Sequence, residues 1–182
     1  MRTRKAAATL VLLPAFAAWC LQLAIRQLIA CDWILTREIR HPSKLWVLLS
    51  RLGDGWLYAA VVLYLVRVQL GTEAGHIAAC VVVAWGGAAL LKVLVRRRRP
   101  HDQLLERLNS RFRPSLWSFP SQHAACAVAF AVAVMGYDRP WESIAVSQLA
   151  FWISLARVAS GAHFVGDVLA GVLLGFAAGA WA

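Results

Sequence analysis

Residues 118–136 read SFPSQHAACAVAFAVAVMG, a short polar cluster followed by an apolar run that carries no charge. An uninterrupted run of this kind predicts a buried or membrane-embedded helix. Neither kind of helix needs Pro120, Ser121, Gln122 and His123 side by side at its start. The cluster therefore predicts a binding or reaction site at the mouth of the helix.

The composition extends this expectation to the whole chain. Of 182 residues, 60% are apolar and 15% are charged, whereas a soluble domain is about half apolar and about a quarter charged. The excess lies in long runs, and a soluble protein could not cover that much apolar surface. We therefore expect one membrane domain over residues 1–182.

Six apolar segments are long enough, with their flanking residues, to cross a bilayer, so the expected fold is all-α with six transmembrane helices. The first apolar segment comes directly after the basic residues Arg2, Arg4 and Lys5, an arrangement typical of a signal peptide. Its length, however, favours a transmembrane helix that is not cleaved off. Two stretches, 31–50 and 103–113, mix apolar and basic residues and predict interfacial helices between spans 1 and 2 and between spans 3 and 4. The predicted spans are 6–28, 52–70, 76–95, 121–136, 143–159 and 164–182.

Six spans place both termini on one side of the membrane. The connecting stretches 29–51, 96–120 and 157–166 then share the opposite face. This convergence predicts where the polar residues of distant segments meet.

Basic residues dominate the first of the polar groups, KVLVRRRRP at 92–100. Lys92 and Arg99 are seven positions apart and share a face if the helix continues, while Pro100 ends the span. A stop-transfer run with snorkelling side chains is the alternative reading. The net charge is +10, and the basic residues lie mostly at the ends of the predicted spans. This position favours lipid headgroups or a phosphorylated substrate as their partner and argues against nucleic acid.

Two further groups carry histidine. Ser121 can cap the fourth span, exposing N–H groups to an anion, with His123 in the first turn; the alternative is an ordinary cap beside an incidental histidine. In ARVASGAHFVGD (156–167), His163 and Asp167 are four residues apart and share a helix face. A carboxylate bonded to one imidazole nitrogen leaves the other nucleophilic, although a plain interfacial ion pair has the same spacing.

Together the groups predict phosphoryl transfer. Cations suit the non-bridging oxygens of a phosphate, one histidine can attack phosphorus, and the other can protonate the leaving oxygen. The sequence contains no cluster of metal-binding carboxylates, no CxxC pair and no GxxxxGK[ST] loop. We therefore expect a metal-independent reaction through a phosphohistidine, without a cofactor.

These three groups, in this order and spacing, resemble the signature of the type 2 phosphatidic acid phosphatase superfamily, whose integral-membrane members are lipid phosphatases. The resemblance implies that His163 is the nucleophile, that Asp167 orients it, and that His123 is general acid and then base. It also implies phosphate-binding roles for further residues, which are Lys92, Arg99, Arg157, Ser121 and Gln122. Two positions depart from the family pattern: Gln122 stands where glycine is usual, and Ala156 where serine is common.

The resemblance implies a membrane lipid as substrate, of the undecaprenyl diphosphate, phosphatidylglycerol phosphate or phosphatidic acid type. A phosphotransferase using the same phosphohistidine and a catalytically silent lipid-binding protein are the alternatives. The resemblance to short bacterial members implies a bacterial inner-membrane protein, and the basic N-terminus predicts that its site faces outward. However, fourteen of the 19 Lys and Arg residues lie at or near the site face, and a plain count would predict the opposite orientation.

Overall fold

The computed structural model describes residues 27–41, 43–68, 70–100 and 117–181. Within these ranges the secondary structure is helical, and the only pairing of extended chain is an isolated antiparallel bridge between Arg98 and Trp117. The predicted all-α class is therefore confirmed for the described part. The helices are α1 (27–39), α2 (Lys44–Arg51), α3 (Gly55–Arg67), α4 (Gly71–Val95), α5 (Gln122–Met135), α6 (Pro140–Ala159) and α7 (Val165–Trp181).

Five of the six predicted spans coincide with helices, from the second (α3) to the sixth (α7). The first, 6–28, lies outside the described residues except for its last two positions, and so does the interfacial helix expected at 103–113. The interfacial segment 31–50 is not one helix, because the chain leaves helical conformation after residue 39 and resumes it at Lys44. There Ser43 caps α2 by accepting a hydrogen bond from the Trp46 N–H at 3.4 Å.

Helix α5, which follows the polar cluster, lies at the centre of the fold and packs against α4, α6 and α7. Ten of its fourteen residues are buried, as expected for a helix that is apolar on all sides. Gly171 and Gly175 of α7 allow the close approach. A Cβ at Gly171 would collide with the Ser121 carbonyl oxygen, and one at Gly175 would lie 2.5 Å from the Ala125 carbonyl oxygen.

Helix α4 is the one described helix that is long and apolar enough by itself to cross a bilayer. Many of its large apolar side chains point away from the protein: Val82, Val83, Trp85, Leu90, Val93 and Leu94 are all exposed. Helices α2 and α3 pass the same test only as a pair, and they meet at an angle of 42°. The six-span topology therefore remains a prediction.

Candidate active site

Main-chain hydrogen bonds join the three stretches that were predicted to meet. The Ser118 N–H donates to the Arg97 carbonyl at 2.7 Å, and the Ser121 N–H donates to the Asp167 carbonyl at 2.8 Å. The His41 N–H donates to the carbonyl of residue 159 at 3.1 Å. The segments therefore converge on one end of the helix bundle, where α4 and α6 end and α5 and α7 begin.

The path from Lys92 to Arg99 differs from the predicted one. Helix α4 ends at Val95, and Arg96 takes a left-handed conformation with φ of +52°, so the two cations do not lie on one continuous helix. The chain instead turns back, and Arg98 forms the antiparallel bridge with Trp117. This turn brings the basic run alongside the start of α5.

The predicted phosphate-binding cations lie within electrostatic range of one another. The charges of Arg99 and Arg157 act on both Lys92 and His163, and those of Arg157 and Lys92 act on His123. Two buried polar atoms here, Arg157 Nε and Ser121 Oγ, have no hydrogen-bond partner among the described residues. Buried polar atoms are normally satisfied, so these two suit a polar ligand.

His163 is 1% exposed and its ring is fixed by the main chain. Its Nδ1 lies 2.8 Å from the Ser118 carbonyl oxygen. A carbonyl can only accept, so Nδ1 carries the proton and Nε2 carries the lone pair. Burial lowers the pKa of His163 to about 3; the nearby Arg157 and Arg99 charges act in the same direction, and Asp167 opposes them. The imidazole is therefore neutral near pH 7, as a nucleophile must be.

Asp167 does not make the hydrogen bond to His163 that the sequence predicted. Its Oδ2 lies 3.7 Å from His163 Nδ1, beyond hydrogen-bond distance, and accepts instead from the Phe164 N–H at 3.0 Å. The Ser118 carbonyl occupies the position expected of the carboxylate. Asp167 acts on the imidazole as a nearby negative charge, not as its hydrogen-bond acceptor.

Arg97 holds Asp167 in place. Its guanidinium donates to Asp167 Oδ1 and to Asp32 Oδ2, both at 2.7 Å, and lies 4.0 Å from the centre of the Phe164 ring. The sequence analysis related the basic run to lipid headgroups or a phosphorylated substrate, whereas Arg97 binds two carboxylates of the protein itself. A run of four arginines gives no signal that one of them turns inward.

Asp32 and Thr36, one turn apart on α1, satisfy the start of α7. Asp32 Oδ1 accepts from the Gly166 N–H at 2.8 Å, and Thr36 Oγ1 accepts from the Val165 N–H at 3.1 Å. These bonds use donors that a helix N-terminus otherwise offers to an anion. Of the two helices that begin at the site, α5 is therefore the one with a start suited to phosphate.

The start of α5 carries Ser121, Gln122 and His123. Ser121 occupies the N-cap position, but its hydroxyl makes no capping hydrogen bond. The Gln122 side chain donates to the Trp85 carbonyl at 3.3 Å, so its bulk turns towards α4. His123 Nε2 lies 2.8 Å from Oδ1 of Asp54, a carboxylate that the sequence interpretation did not include.

No three His, Cys, Asp or Glu side chains among the described residues lie close enough together to hold a metal ion. The polar residues gathered here are cations, imidazoles and single carboxylates tied to them. Such a set binds an oxyanion through charge and hydrogen bonds.

Comparison with known proteins identifies the family. The sequence model of the PAP2 superfamily matches residues 73–182. The chain belongs to the PAP2 superfamily. The match contains all three signature groups, and the resemblance read from the sequence is confirmed.

Relatives and solved structures agree with this membership. The chain is 35% identical over 138 residues to a decaprenylphosphoryl-5-phosphoribose phosphatase of Mycobacterium tuberculosis, covering 72% of this chain and 73% of the relative. It is similar to Aquifex aeolicus LpxE, with a TM-score of 0.68, 27% identity and coverage of 81% and 91% of the two chains. PAP2 proteins are phosphatases, so this chain is a phosphate-ester hydrolase, and metal independence fits the family.

A second structure supports the fold alone. It is a transmembrane PAP2-type phosphatidylglycerolphosphate phosphatase from Bacillus subtilis, with a TM-score of 0.61, 19% identity and coverage of 85% of this chain and 84% of that one. The helical arrangement is thus shared by PAP2 proteins of quite different sequence.

Proposed function

We propose that this PAP2 protein removes a phosphate from a membrane lipid through a phosphohistidine on His163. The observation that carries the proposal is the state of that imidazole. Its Nδ1–H is committed to the Ser118 carbonyl, and its neutral ring lies within range of the Arg99 and Arg157 charges. A neutral nucleophile among cations is what attack on a phosphate anion requires.

In the first step, Nε2 of His163 attacks phosphorus and the bond from phosphorus to the lipid oxygen breaks. His123 gives a proton to that oxygen. Lys92, Arg99 and Arg157 balance the charge on the three equatorial oxygens. The two unpartnered polar atoms, Arg157 Nε and Ser121 Oγ, are the natural donors to those oxygens.

In the second step, water attacks the phosphohistidine from the opposite side. His123, now neutral, takes a proton from the water as the N–P bond breaks, and inorganic phosphate leaves. Both steps use the same residues: His123 donates a proton in the first step and accepts one in the second. Asp167 balances the positive charge that develops on His163.

The substrate is a lipid, because the exposed apolar side chains of α4 suit acyl or prenyl chains and its 25 residues match a bilayer. We infer a polyprenyl-linked sugar phosphate as the first candidate. The curated relative acts on decaprenylphosphoryl-5-phosphoribose and is 35% identical. The other candidates are undecaprenyl diphosphate, phosphatidylglycerol phosphate and phosphatidic acid.

The membrane placement belongs to the same proposal: six spans, with the site on the extracytoplasmic face of a bacterial inner membrane. Arg2, Arg4 and Lys5 then remain in the cytoplasm. Single cysteines introduced beside α4 and α5 at the site end should react with a membrane-impermeant reagent in intact cells. Labelling that occurs only after the cells are opened would show that the site faces the cytoplasm, contrary to the proposal.

Purified protein in detergent, given the four candidate lipids, should release inorganic phosphate. His163→Ala should reduce release by about 10⁴-fold or more and abolish a base-stable, acid-labile phosphoenzyme. His41→Ala, which changes an exposed histidine, should leave both unchanged. Full turnover in His163→Ala would refute the mechanism.

The same assay separates the reaction classes. Vanadate, which mimics pentacoordinate phosphorus, should inhibit, and EDTA should have no effect. Transfer of the phosphoryl group to an added acceptor lipid, in place of phosphate release, would make the protein a phosphotransferase. Binding without either product would make it a lipid-binding protein.

A further inference from the structure

The hydrogen bond between Asp54 and His123 joins the site to a segment outside the region matched by the family. Asp54 Oδ1 lies 2.8 Å from His123 Nε2, and the side chains are 42% and 25% exposed. Asp54 lies in the break between α2 and α3, whereas the family match begins at residue 73. The contact thus spans 69 positions of sequence.

The Asp54 carboxylate does not serve its own helix. Asp54 is the N-cap of α3, a position where aspartate usually accepts a hydrogen bond from an N–H of the first turn. Here it makes no capping hydrogen bond. The side chain is directed across the site to the imidazole instead, which a purely structural cap would not do.

Gly53 allows the break to approach His123 closely. A Cβ at this position would lie 2.9 Å from His123 Cδ2 and 2.8 Å from Ile153 Cγ2. Any larger residue would push the break away from α5. The local sequence Gly53–Asp54 therefore brings the carboxylate to the ring.

The other charges around His123 oppose a protonated imidazole. Lys92 on α4 and Arg157 on α6 both repel it, and Asp54 is the acidic group that attracts it. Tyr58 on α3 is a further titratable group nearby, and it interacts electrostatically with Asp54 and with Cys126 of α5. A proton donor between two cations needs a carboxylate to hold its proton.

We propose that Asp54 is the positioning residue of His123: it holds the ring through Nε2 and leaves Nδ1 as the nitrogen that exchanges a proton with the substrate. This inference rests on the proposed function. As the P–O bond of the substrate breaks, Nδ1–H of the imidazolium is transferred to the leaving oxygen. In the second step Nδ1 takes a proton from the attacking water.

The test compares two leaving groups in the full-length protein. A monoalkyl phosphate needs a proton on its leaving oxygen, whereas 4-nitrophenyl phosphate does not. Asp54→Asn should lower kcat/KM for dodecyl phosphate by about 10²-fold and for 4-nitrophenyl phosphate by much less. The basic limb of the pH profile should move to lower pH, and Asp54→Glu should recover part of the loss.

Asp138→Asn is the matched control, because Asp138 is an exposed aspartate in the α5–α6 turn. This variant should leave kcat/KM unchanged for both substrates. Equal losses on both substrates, or no loss on either, would overturn the role of Asp54. Turnover by His163→Ala would instead overturn the proposed function. A thermal melt of each variant identifies any that fail to fold.

Discussion

The two histidines of the site lie in contrasting surroundings. His163 is 1% exposed, and the Asp167 beside it is fully buried. His123 and Asp54 have side chains that are 25% and 42% exposed. One imidazole is fixed by a main-chain carbonyl and enclosed by packed segments, whereas the other is held by a side chain on a helix pair bent by 42°.

This difference matches the work that the proposed mechanism gives to each ring. The nucleophile must keep one tautomer and exclude water until it is phosphorylated, which a buried, rigid environment provides. The acid-base residue must exchange protons with the leaving group and with water, so it has to remain accessible. The same phosphate site therefore needs one rigid side and one open side.

The largest predicted effect is the difference between removing the His163 imidazole and removing the His123 imidazole. His163→Ala should form no phosphoenzyme at all, while His123→Ala should still form it from 4-nitrophenyl phosphate and then hydrolyse it slowly. We expect steady-state turnover of His123→Ala to fall by about 10² to 10⁴-fold. Rapid-quench kinetics would reveal a burst of 4-nitrophenol; normal turnover in His123→Ala would remove the distinction between the rings.

Disrupting the rigid side should cost stability. Asp167→Asn removes one partner of a buried ion pair and leaves Arg97 with Asp32 alone. The free energy of unfolding should fall by about 3 kcal/mol, measured by denaturation in detergent. Asp138→Asn, on the surface, should change it little, and equal stability of the two variants would contradict a structural role for the Arg97 bridge.

A methyl group added at a glycine should have a different effect on each side of the site, because backbone atoms cannot move away from it and side chains can. Gly171→Ala meets the Ser121 carbonyl, which is backbone, and should destabilise by about 2 kcal/mol. Gly53→Ala meets side chains of Ile153 and His123, which can move. It should therefore reduce the stability less than Gly171→Ala does and reduce the activity more. Gly75→Ala, where a Cβ meets nothing within 4 Å, is the control; a greater stability loss for Gly53→Ala would reverse our assignment.

The last prediction concerns the pH dependence of stability. Burial lowers the pKa of His163 from 6.5 to about 3, so the unfolded chain binds a proton between these values and the folded protein does not. Stability is therefore fully present above pH 6.5 and falls as the pH drops, by about 1.4 kcal/mol for each unit from pH 6 to pH 4. His163→Gln should have a shallower slope, and identical slopes would exclude His163 as the cause.

Much of the fold follows from the sequence. Runs of apolar residues gave five helices close to their observed bounds, because a helix is a local structure with a local pattern. The exception is 31–50, where α1 and α2 are separate helices; a mixture of apolar and basic residues does not reveal a break between them. The predicted end of the third span at Val95 was right, but the turn after it was missed, since only the pairing of Arg98 with the distant Trp117 explains that turn.

The candidate site divides in the same way. His123, His163, Lys92, Arg99 and Arg157 could be chosen because each lies at the end of an apolar run, where a charged or polar side chain has a reason to be. Asp54, Asp32 and Arg97 could not, because their partners are 69, 65 and 70 positions away. Nothing local separates them from ordinary surface charges.

The sequence alone thus determined the helical class, the face on which the polar segments meet and the residue types suited to phosphate chemistry. The tertiary structure decided which groups fix those residues: a carbonyl for His163, an arginine for Asp167 and an aspartate for His123. Local pattern records what a residue can do, because its chemistry and helix position are its own. Which partner holds it depends on how distant segments pack, and that is set by the whole fold.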